Sequence, residues 1–455
     1  MDLFLPYGSF VVVLAMVLGG VGDQGWSDVV VQLAALPLLA WALCRLNPSQ
    51  FGRSGEWAIA LLCATIALPL LQLIPMPPPL WGALPGRDEV ASAYEAAGMA
   101  LPWLPLSLDP SATWVGLLSL LPATAVFLAI LSLEPRSRRV LIVLILVVVF
   151  ASAVLDILQV MGGDVRAVGF FANADHQSVF LYSAVPFVIA GAIGFMHDRR
   201  RNRAILLALL ALLTVAIVIG VTATRSRMGM ALLICASLSG ILLAWRHDRG
   251  QSGRRLLRFA IGGNIVALIL AFQFGFVAYM NRVEEQGFQD LRWPAASITS
   301  QAAIANMPFG TGLGTFVPVF ERFAPRTLLL NQNFYVNHAH NDWLELWLTG
   351  GVPAIILTLG FLVWFTASTF RQWGSGQSEG PILDLVLAQA ASIVVVLLLL
   401  HSLVDYPLRI PALSVLFAIA CAYLIPRHRI EHATEMRARG ERFTPESFVW
   451  PRNRL

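Results

Sequence analysis

The chain has 455 residues, of which 57% are hydrophobic and only 13% charged, and its formal net charge is +4. A soluble domain carries roughly 25% charged residues, so this composition excludes an ordinary soluble protein and indicates one built for the lipid bilayer. The four cysteines lie in apolar runs without disulfide or zinc spacing, which gives no sign of redox or zinc chemistry.

The apolar segments, taken in chain order, predict an all-α polytopic membrane protein. A helix needs about 20 mostly apolar residues to cross the hydrocarbon. The N-terminus shows no cleavable signal peptide, so the first run is predicted to be a span, although two short, glycine-containing runs leave eleven spans or a re-entrant element open. The twelve predicted spans are 5–21, 27–44, 56–75, 113–133, 139–160, 177–196, 204–222, 228–245, 257–280, 350–369, 383–402 and 408–425.

Arginine predicts the orientation, because the chain contains no lysine. If both termini are cytoplasmic, 22 of the 31 arginines fall on the inner side, as the positive-inside rule requires. The sequence thus predicts one transmembrane domain over 1–425 and an Arg-rich cytoplasmic tail over 426–455. These clusters lie at the membrane face, where anionic lipids attract them, so we expect membrane lipids and no nucleic acid as partners.

Two outside segments are sizeable, although no segment is long enough to fold by itself as a soluble domain. The Pro-rich segment 76–112 is the smaller, and its Arg87 is predicted to be an ordinary exposed charge. The segment 281–349, between spans nine and ten, is long for a connection and is therefore predicted to carry function.

The stretch "VNHAHNDWLELWLTGG" at 336–351 concentrates polar groups where the tenth span begins. A capping box with Asp342 as N-cap and Glu345 at N3 would explain the two carboxylates structurally. It leaves His340 unexplained and available for proton transfer. His338 would lie one turn from Asp342 in a helix, as an oriented partner or simply as a filler.

Three further polar clusters are predicted on the same side of the membrane. The turn 222–229 is informative because Arg225 and Arg227 lie between two spans on the side depleted of arginine. Charges near the membrane usually have a partner, and the planar guanidinium suits a phosphate. The other two clusters are 168–178, with Asn173, Asp175 and His176, and 291–297, with Arg292.

These stretches resemble a known family. In "HAHNDWLELWLTGGVPA", His340-Asn341 is followed by nine residues and then by Gly351-Val352-Pro353-Ala354, which is similar to the signature of the O-antigen ligase and Wzy-type polymerase superfamily. Ala354 departs from the commoner glycine, a change expected to affect helix packing more than chemistry. The resemblance spans about 165–425 and includes "GFFANADH", the Ser226-Arg227 turn, "LRW" with "PFGTGLGTF", and "HSLVDYPLR".

The resemblance implies a metal-independent glycosyltransferase without cofactors at the periplasmic face of the bacterial inner membrane. Its donor would be a glycan on undecaprenyl diphosphate, and its acceptor a hydroxyl of lipid A core or of another glycan. Polysaccharide export and chain-length proteins would be partners. His340 would be the base for an inverting transfer, and no D-x-D pair offers a metal site on the outside loops. The resemblance assigns Arg225, Arg227 and Arg292 to the donor diphosphate and gives supporting roles to His338, Asn341, Asp342, Asn173, Asp175 and His176.

Two other classes compete with this interpretation. A transporter or flippase of a lipid-linked anionic substrate would also have twelve spans, but it needs polar groups near the midplane and often has internal repeats, and neither is evident. A peptidoglycan-type polymerase would share the donor chemistry without the His-Asn spacing. Within the resembling superfamily, the "VDYPLR" stretch favours a polymerase over a ligase.

Overall fold

A computed structural model describes most of the chain. The predicted span 257–280 and the tail after 426 lie outside the described residues, except for two isolated positions. The described residues are 3–20, 25–47, 50–197, 203–247, 262, 269, 292–330, 336–374 and 381–426.

The described part is almost entirely helical. The helices are α1 (Phe4–Leu18), α2 (Trp26–Arg45), α3 (Gly52–Gln72), α4 (Pro78–Trp81), α5 (Asp88–Ala96), α6 (Pro110–Ser119), α7 (Leu121–Ser132), α8 (Pro135–Met161), α9 (Ala174–Ser183), α10 (Val185–His197), α11 (Arg203–Thr224), α12 (Arg227–Arg246), α13 (Arg292–Ala305), α14 (Phe316–Phe323), α15 (Arg326–Leu330), α16 (Asp342–Gly374), α17 (Ile382–His401) and α18 (Pro411–Tyr423). A 3₁₀ turn covers Pro407–Arg409, and β1 (Pro75–Met76) pairs antiparallel with β2 (Leu104–Pro105).

Nine helical segments in the described ranges are long and apolar enough to cross a membrane. Two of them are pairs that nearly join, α6 with α7 and α9 with α10. A proline within the first two residues of α7 supplies the first break, because proline donates no backbone hydrogen bond. The shorter apolar helices α1 and α18 occupy the predicted first and last spans. An all-α polytopic membrane architecture is thereby confirmed, while the count of twelve stays a prediction.

The helices pack into one bundle, in which α7 and α10 each contact several other helices. α7 packs against α2 and α18, and α10 packs against α17, α11 and α12. α3 stands apart from α2, its neighbour in sequence, and packs mainly on α16 and α6.

The two ends of the bundle differ in their polar contacts. At one end Arg139 makes two 2.7 Å hydrogen bonds to Asp384, and Arg246 donates to the carbonyl of Trp373. At the other end α9, α12, α13 and α16 begin. We name this the site end; that it faces the periplasm stays a prediction.

Arg87 is not the exposed loop charge that the sequence predicted. Its side chain is only 4% exposed and donates to the carbonyl of Leu106. Burial, followed by repulsion from Arg322, lowers the pKa of Arg87 to about 10. The segment 76–112 therefore folds around this arginine.

The segment from 292 to 330 packs as a small apolar layer over the start of α16. Ile298 of α13 and Phe316 and Phe320 of α14 are buried in one cluster with Leu348 of α16. The long loop predicted at 281–349 is thus partly helical where it is described, and its last eight residues belong to α16, which begins at 342 instead of 350.

A break within α16 links two of the family-like stretches. Gly351 has φ +57°, and an added Cβ would lie 2.2 Å from the carbonyl oxygen of Pro308. The helix carbonyl of Leu348, freed by the break, accepts from the backbone N–H of Thr311 at 3.1 Å. The segment "PFGTGLGTF" therefore completes the hydrogen bonds of "TGG", and a side chain at 351 would prevent this.

Candidate active site

Four helix starts meet at the site end. Asn173 caps α9 by accepting from the N–H of Asp175 at 2.8 Å, and Ser226 caps α12 by accepting from Gly229 at 3.0 Å. The two starts touch, because a Cβ on Gly229 would lie 2.4 Å from the Ser178 hydroxyl. Such N-termini carry partial positive charge and favour anions. Side-chain contacts bring the starts of α13 and α16 to the same place.

His340 stands at the start of α16 in an uncommon backbone conformation. Its φ is +49°, a left-handed geometry that costs a non-glycine residue about 1–3 kcal/mol. Its Nδ1 lies 3.1 Å from Oδ1 of Asp405, which is 1% exposed, while the imidazole itself is about one-third exposed. The fold therefore holds the Nδ1 edge of this ring against a buried carboxylate and leaves part of the ring accessible to solvent.

Asp405 is shared by three histidines. Nε2 of His176 lies 3.4 Å from Oδ2 of Asp405, and Nε2 of His401 lies 3.8 Å from the same oxygen. Burial alone would raise the pKa of Asp405, but His176 above all, with His340 and His401, holds that pKa well below its usual value. Asp405 is thus a carboxylate that accepts from Nδ1–H of His340 and directs the lone pair of Nε2 outward.

His338, two residues earlier, has a different carboxylate. Its Nδ1 lies 3.0 Å from Oε1 of Glu345, and Nε of Arg409 lies 3.1 Å from the same oxygen. The ring of Tyr406 separates the histidines, with centroids 4.3 Å from His338 and 5.1 Å from His340. Glu345, and not Asp342, is therefore the partner of His338.

The predicted capping box is wrong. The N-cap of α16 is Asn341, whose Oδ1 accepts from the N–H of Leu344 at 3.0 Å. Asp342 instead accepts from the Ser402 hydroxyl at 2.8 Å and lies 3.4 Å from Nε of Arg409. Asp342 and Glu345 thus tie the start of α16 to the segment that follows α17.

Arg166 and Arg292 both contact Asp175, one residue before His176. Oδ1 of Asp175 lies 3.2 Å from Arg166, and Oδ2 lies 3.5 Å from Arg292. Nε of Arg166 also donates to the carbonyl of Thr224 at 2.9 Å, directly before the turn with Arg225. The first turn of α9 therefore contacts Arg166 and Arg292 through Asp175, and the carboxylate of Asp405 through His176.

Arg225 and Arg227 flank the cap of α12. Both side chains are exposed, and neither makes an ion pair with any residue that the structure describes. Arg225 also has a left-handed backbone, with φ +52°. The turn thus presents two cations at the site end that no acidic residue in the described ranges neutralises.

The loop that precedes α9 is held by the side chain of Gln159, which belongs to α8. Oε1 of Gln159 accepts from the N–H groups of Val168 and Gly169 at 2.9 and 3.0 Å. Gly169 has φ +54°, and an added Cβ would lie 2.4 Å from the side chain of Gln177. "GFFANADH" therefore needs its glycine to place Asp175 and His176.

A comparison with protein families decides what this arrangement is similar to. Residues 212–359 match the family model described as O-antigen ligase. Over these residues the chain is similar to O-antigen ligases. No curated protein matches the chain. The resemblance to the O-antigen ligase and Wzy-type superfamily is confirmed over the matched residues, and the apolar helices indicate a multi-pass membrane protein.

The ligase match covers only part of the site. It includes Arg225, Arg227, Arg292 and His340, whereas His176 and Asp405 lie outside the matched residues. The family match therefore does not cover all the residues that the side-chain contacts bring together.

Several residues of the candidate site were not predicted from sequence. Asp405, His401 and Arg409 all lie in "HSLVDYPLR", which was noted only as a stretch similar to the family. The i,i+4 spacing of His401 and Asp405 between apolar runs was the available signal. Arg166 was missed because it had no motif, and Glu345 because a cap explained it.

The site offers cations as side chains. In the described ranges no group of three or more His, Cys, Asp or Glu residues has the arrangement of a metal site. The positive charge near His340 comes from arginines and helix starts.

Proposed function

We propose that the chain is an inverting, metal-independent glycosyltransferase of the inner membrane. It moves a glycan from undecaprenyl diphosphate to an acceptor hydroxyl at the periplasmic leaflet. The observation that supports this proposal is the start of α9, where His176 contacts the partner of His340 and the adjacent Asp175 contacts Arg166 and Arg292. A base and a set of cations are what transfer from a sugar diphosphate requires.

The proton is taken by His340. The acceptor oxygen attacks the anomeric carbon from the face opposite the diphosphate, and the bond from that carbon to the diphosphate oxygen breaks with its electron pair on the leaving group. Nε2 of His340 accepts the hydroxyl proton, while Asp405 stabilises the imidazolium that forms through the 3.1 Å contact with Nδ1. The anomeric configuration is inverted because there is one displacement.

The leaving diphosphate is neutralised by arginine. Arg225 and Arg227 are exposed, and the guanidinium can grip two phosphate oxygens at once. Arg292 joins them from α13, held by Asp175. Fixed donors that face the developing charge lower the barrier without a metal ion.

The acceptor distinguishes two versions of this function. Transfer to a second lipid-linked glycan would be polymerisation, and transfer to lipid A core would be ligation; "VDYPLR" favours polymerisation. Glycan profiles of a deletion strain separate them, since single repeats on the carrier indicate a lost polymerase and long unattached chains a lost ligase. Export and chain-length proteins would act next to either.

The purified, detergent-solubilised protein with a lipid-linked donor tests the chemistry. We expect a new glycosidic bond and unchanged rates with EDTA. Loss of activity with EDTA would replace the arginine mechanism with a metal one, and movement of donor across vesicles without bond formation would support a transporter instead.

Reporter fusions test the compartment. A reporter after residue 430 should read cytoplasmic, and one inserted near residue 330 should read periplasmic. The opposite pair of readings would remove the site from the leaflet of the donor.

A further inference from the structure

A buried chain of side chains continues from Asp405 away from the exposed ring of His340. The hydroxyl of Tyr182, in the last turn of α9, lies 3.0 Å from Nδ1 of His401, the last residue of α17. Both side chains are buried, with 0% of Tyr182 and 1% of His401 exposed. Nε2 of His401 faces Oδ2 of Asp405 at 3.8 Å, whereas Oδ1 of Asp405 faces His340. The proton transfer assigned to His340 makes no use of Tyr182 or His401.

The hydrogen bond from Tyr182 selects one tautomer of His401. A phenol is protonated at neutral pH, and in the described ranges the hydrogen-bond partner of this hydroxyl is Nδ1 of His401. If Nδ1 carried the proton instead, the O–H of Tyr182 would be buried without an acceptor, which folded proteins rarely tolerate. The proton of a neutral His401 therefore lies on Nε2, the nitrogen that faces Asp405.

Oδ2 of Asp405 needs such an N–H. This oxygen is buried and makes no regular hydrogen bond with any residue that the structure describes. A buried carboxylate oxygen is unfavourable unless polar hydrogens face it. Nε2 of His176, 3.4 Å away, is also buried without a regular hydrogen bond, and no hydrogen bond in the described part of the chain selects a tautomer of His176. His401 is therefore the neighbour of Oδ2 whose proton position is determined by a further contact.

The backbone places His401 and Asp405 together. The N–H of Asp405 donates to the carbonyl of His401 at 3.0 Å, so the two side chains are one helical turn apart and lie on the same side. With Oδ2 of Asp405 facing His401, Oδ1 lies 3.1 Å from Nδ1 of His340. A rotation of the carboxylate out of this plane would weaken both contacts at once.

We propose that Tyr182 and His401 are positioning residues for the transfer reaction. Tyr182 holds His401 in the tautomer that presents Nε2–H to Oδ2 of Asp405. The carboxylate is thereby kept with Oδ1 against the Nδ1–H of His340. Both positioning residues are buried and act only through Asp405. The inference rests on the proposed function, in which His340 takes the proton, and it adds residues that lie outside the matched range 212–359.

Nitrogen NMR of the histidine rings tests this chain of contacts without requiring turnover. Purified protein with isotopically labelled histidine should show the Nε2–H tautomer for neutral His401, whose signal is identified by its loss in His401→Gln. Tyr182→Phe removes only the hydroxyl and should give a mixture of tautomers at His401. An Nδ1–H tautomer of His401 in the wild type, or an unchanged tautomer in Tyr182→Phe, would overturn the proposal.

A matched pair of tyrosine variants tests the effect on transfer. Tyr182→Phe should lower kcat by about three- to tenfold, less than the roughly 10–100-fold loss for carboxylates that orient metal-bound imidazoles, because it acts one contact further away. The KM for donor should not change. Tyr423→Phe is the control, since its buried hydroxyl donates to the carbonyl of Arg138 at the opposite end of the bundle, and it should leave kcat unchanged. Equal losses in the two variants would overturn the inference.

Two variants of His401 separate positioning from packing. His401→Gln keeps an N–H near the place of Nε2 and should retain most of kcat, whereas His401→Phe keeps a ring without an N–H and should lose about tenfold or more. Thermal unfolding in detergent identifies losses that come from the fold. Equal kcat values in the two folded variants would overturn the inference. The expected tautomers in a protein that forms no glycosidic bond would instead reject the proposed function and leave this chain of contacts in place.

Discussion

His338 and His340 lie two residues apart, and each contacts a carboxylate that is 1% exposed, yet their surroundings differ. Among the described residues, the charged partners of Asp405, beside His340, are imidazoles. Glu345, beside His338, also contacts Arg409 and accepts from the N–H of Ala339 at 2.9 Å. His340 is also more exposed, at 32% against 17% for the side chain of His338.

On this difference the proposal assigns the proton transfer to His340 and a structural contact to His338. Around Glu345 the carboxylate is used to join the start of α16 to Arg409, so His338 is one of several partners. Around Asp405 the charge is available to stabilise an imidazolium, and the ring that gains from it reaches solvent. Sequence position alone would give the two histidines equal weight, and each prediction below tests one side of this comparison.

The largest effect is expected at His340. His340→Ala should lower the transfer rate by about 10²–10⁴, the usual contribution of a positioned general base, while donor binding persists. His338→Ala is the matched control and should cost less than about tenfold, because removing a positioning contact leaves the base in place. Initial rates at saturating donor measure both. Equal losses would end the distinction between the two histidines.

The next effect concerns Asp405. Asp405→Asn should lower the rate by about 10–100-fold, by analogy with the carboxylates that orient metal-bound imidazoles. The acid limb of the pH profile should shift, because the substitution removes a negative charge that lies 3.1 Å from the imidazole of His340. A rate loss with an unchanged profile would indicate that Asp405 is only structural.

The lowered pKa of Asp405 determines in which direction its contribution to stability changes with pH. Because that pKa is held well below its usual value, the stabilisation by its ionised form is fully present above about pH 3.9 and is lost only as pH falls through the lowered pKa. Between pH 5 and 9 Asp405 stays charged. Activity lost on the acid side of this range is therefore not expected to come from protonation of Asp405.

A third, smaller effect is expected in the arginine turn. Arg227→Ala should reduce kcat/KM for donor by about 10–150-fold, since a hydrogen bond to a charged group is worth about 1.5–3 kcal/mol. Arg326→Ala, on an exposed arginine of α15, is the control, because Arg87 is buried and would confound the comparison. Arg227→Lys should recover only part of the loss. Wild-type kinetics for Arg227→Ala would remove the turn from the donor site.

The sequence predicts those features that depend on residues close together in the chain. Hydropathy locates most described helices because each span satisfies its own backbone hydrogen bonds in lipid. The contact of His340 with Asp405 joins positions 65 residues apart, and no local pattern fixes such a distance. The start of α16 was placed too late because Asp342 and Glu345 interrupt the apolar run, although their charges are satisfied by Arg409.

Single side chains show the same limit. The residues around Arg87 have the composition of an exposed loop. Only the fold shows that this loop buries its guanidinium. The need for glycine at 351 comes from Pro308, 43 positions earlier in the chain, so the motif spacing was visible while its cause was not. Conversely, the exposed Arg225 and Arg227 agreed with expectation because their turn is short and lies between two spans.

The smallest effect on activity is expected on the His338 side, where stability should respond instead. Glu345→Gln keeps the shape but leaves Arg409 and His338 without the ionised partner that lies 3.1 and 3.0 Å from them. The free energy of unfolding should fall by about 1.5–3 kcal/mol, and the transfer rate by less than about tenfold. Thermal unfolding in detergent measures the first, with Glu321→Gln on the exposed surface of α14 as the control. If Glu345→Gln instead shifted the acid limb of the pH profile as Asp405→Asn does, the two carboxylates would act on the same proton, and the division of labour between His338 and His340 would have to be abandoned.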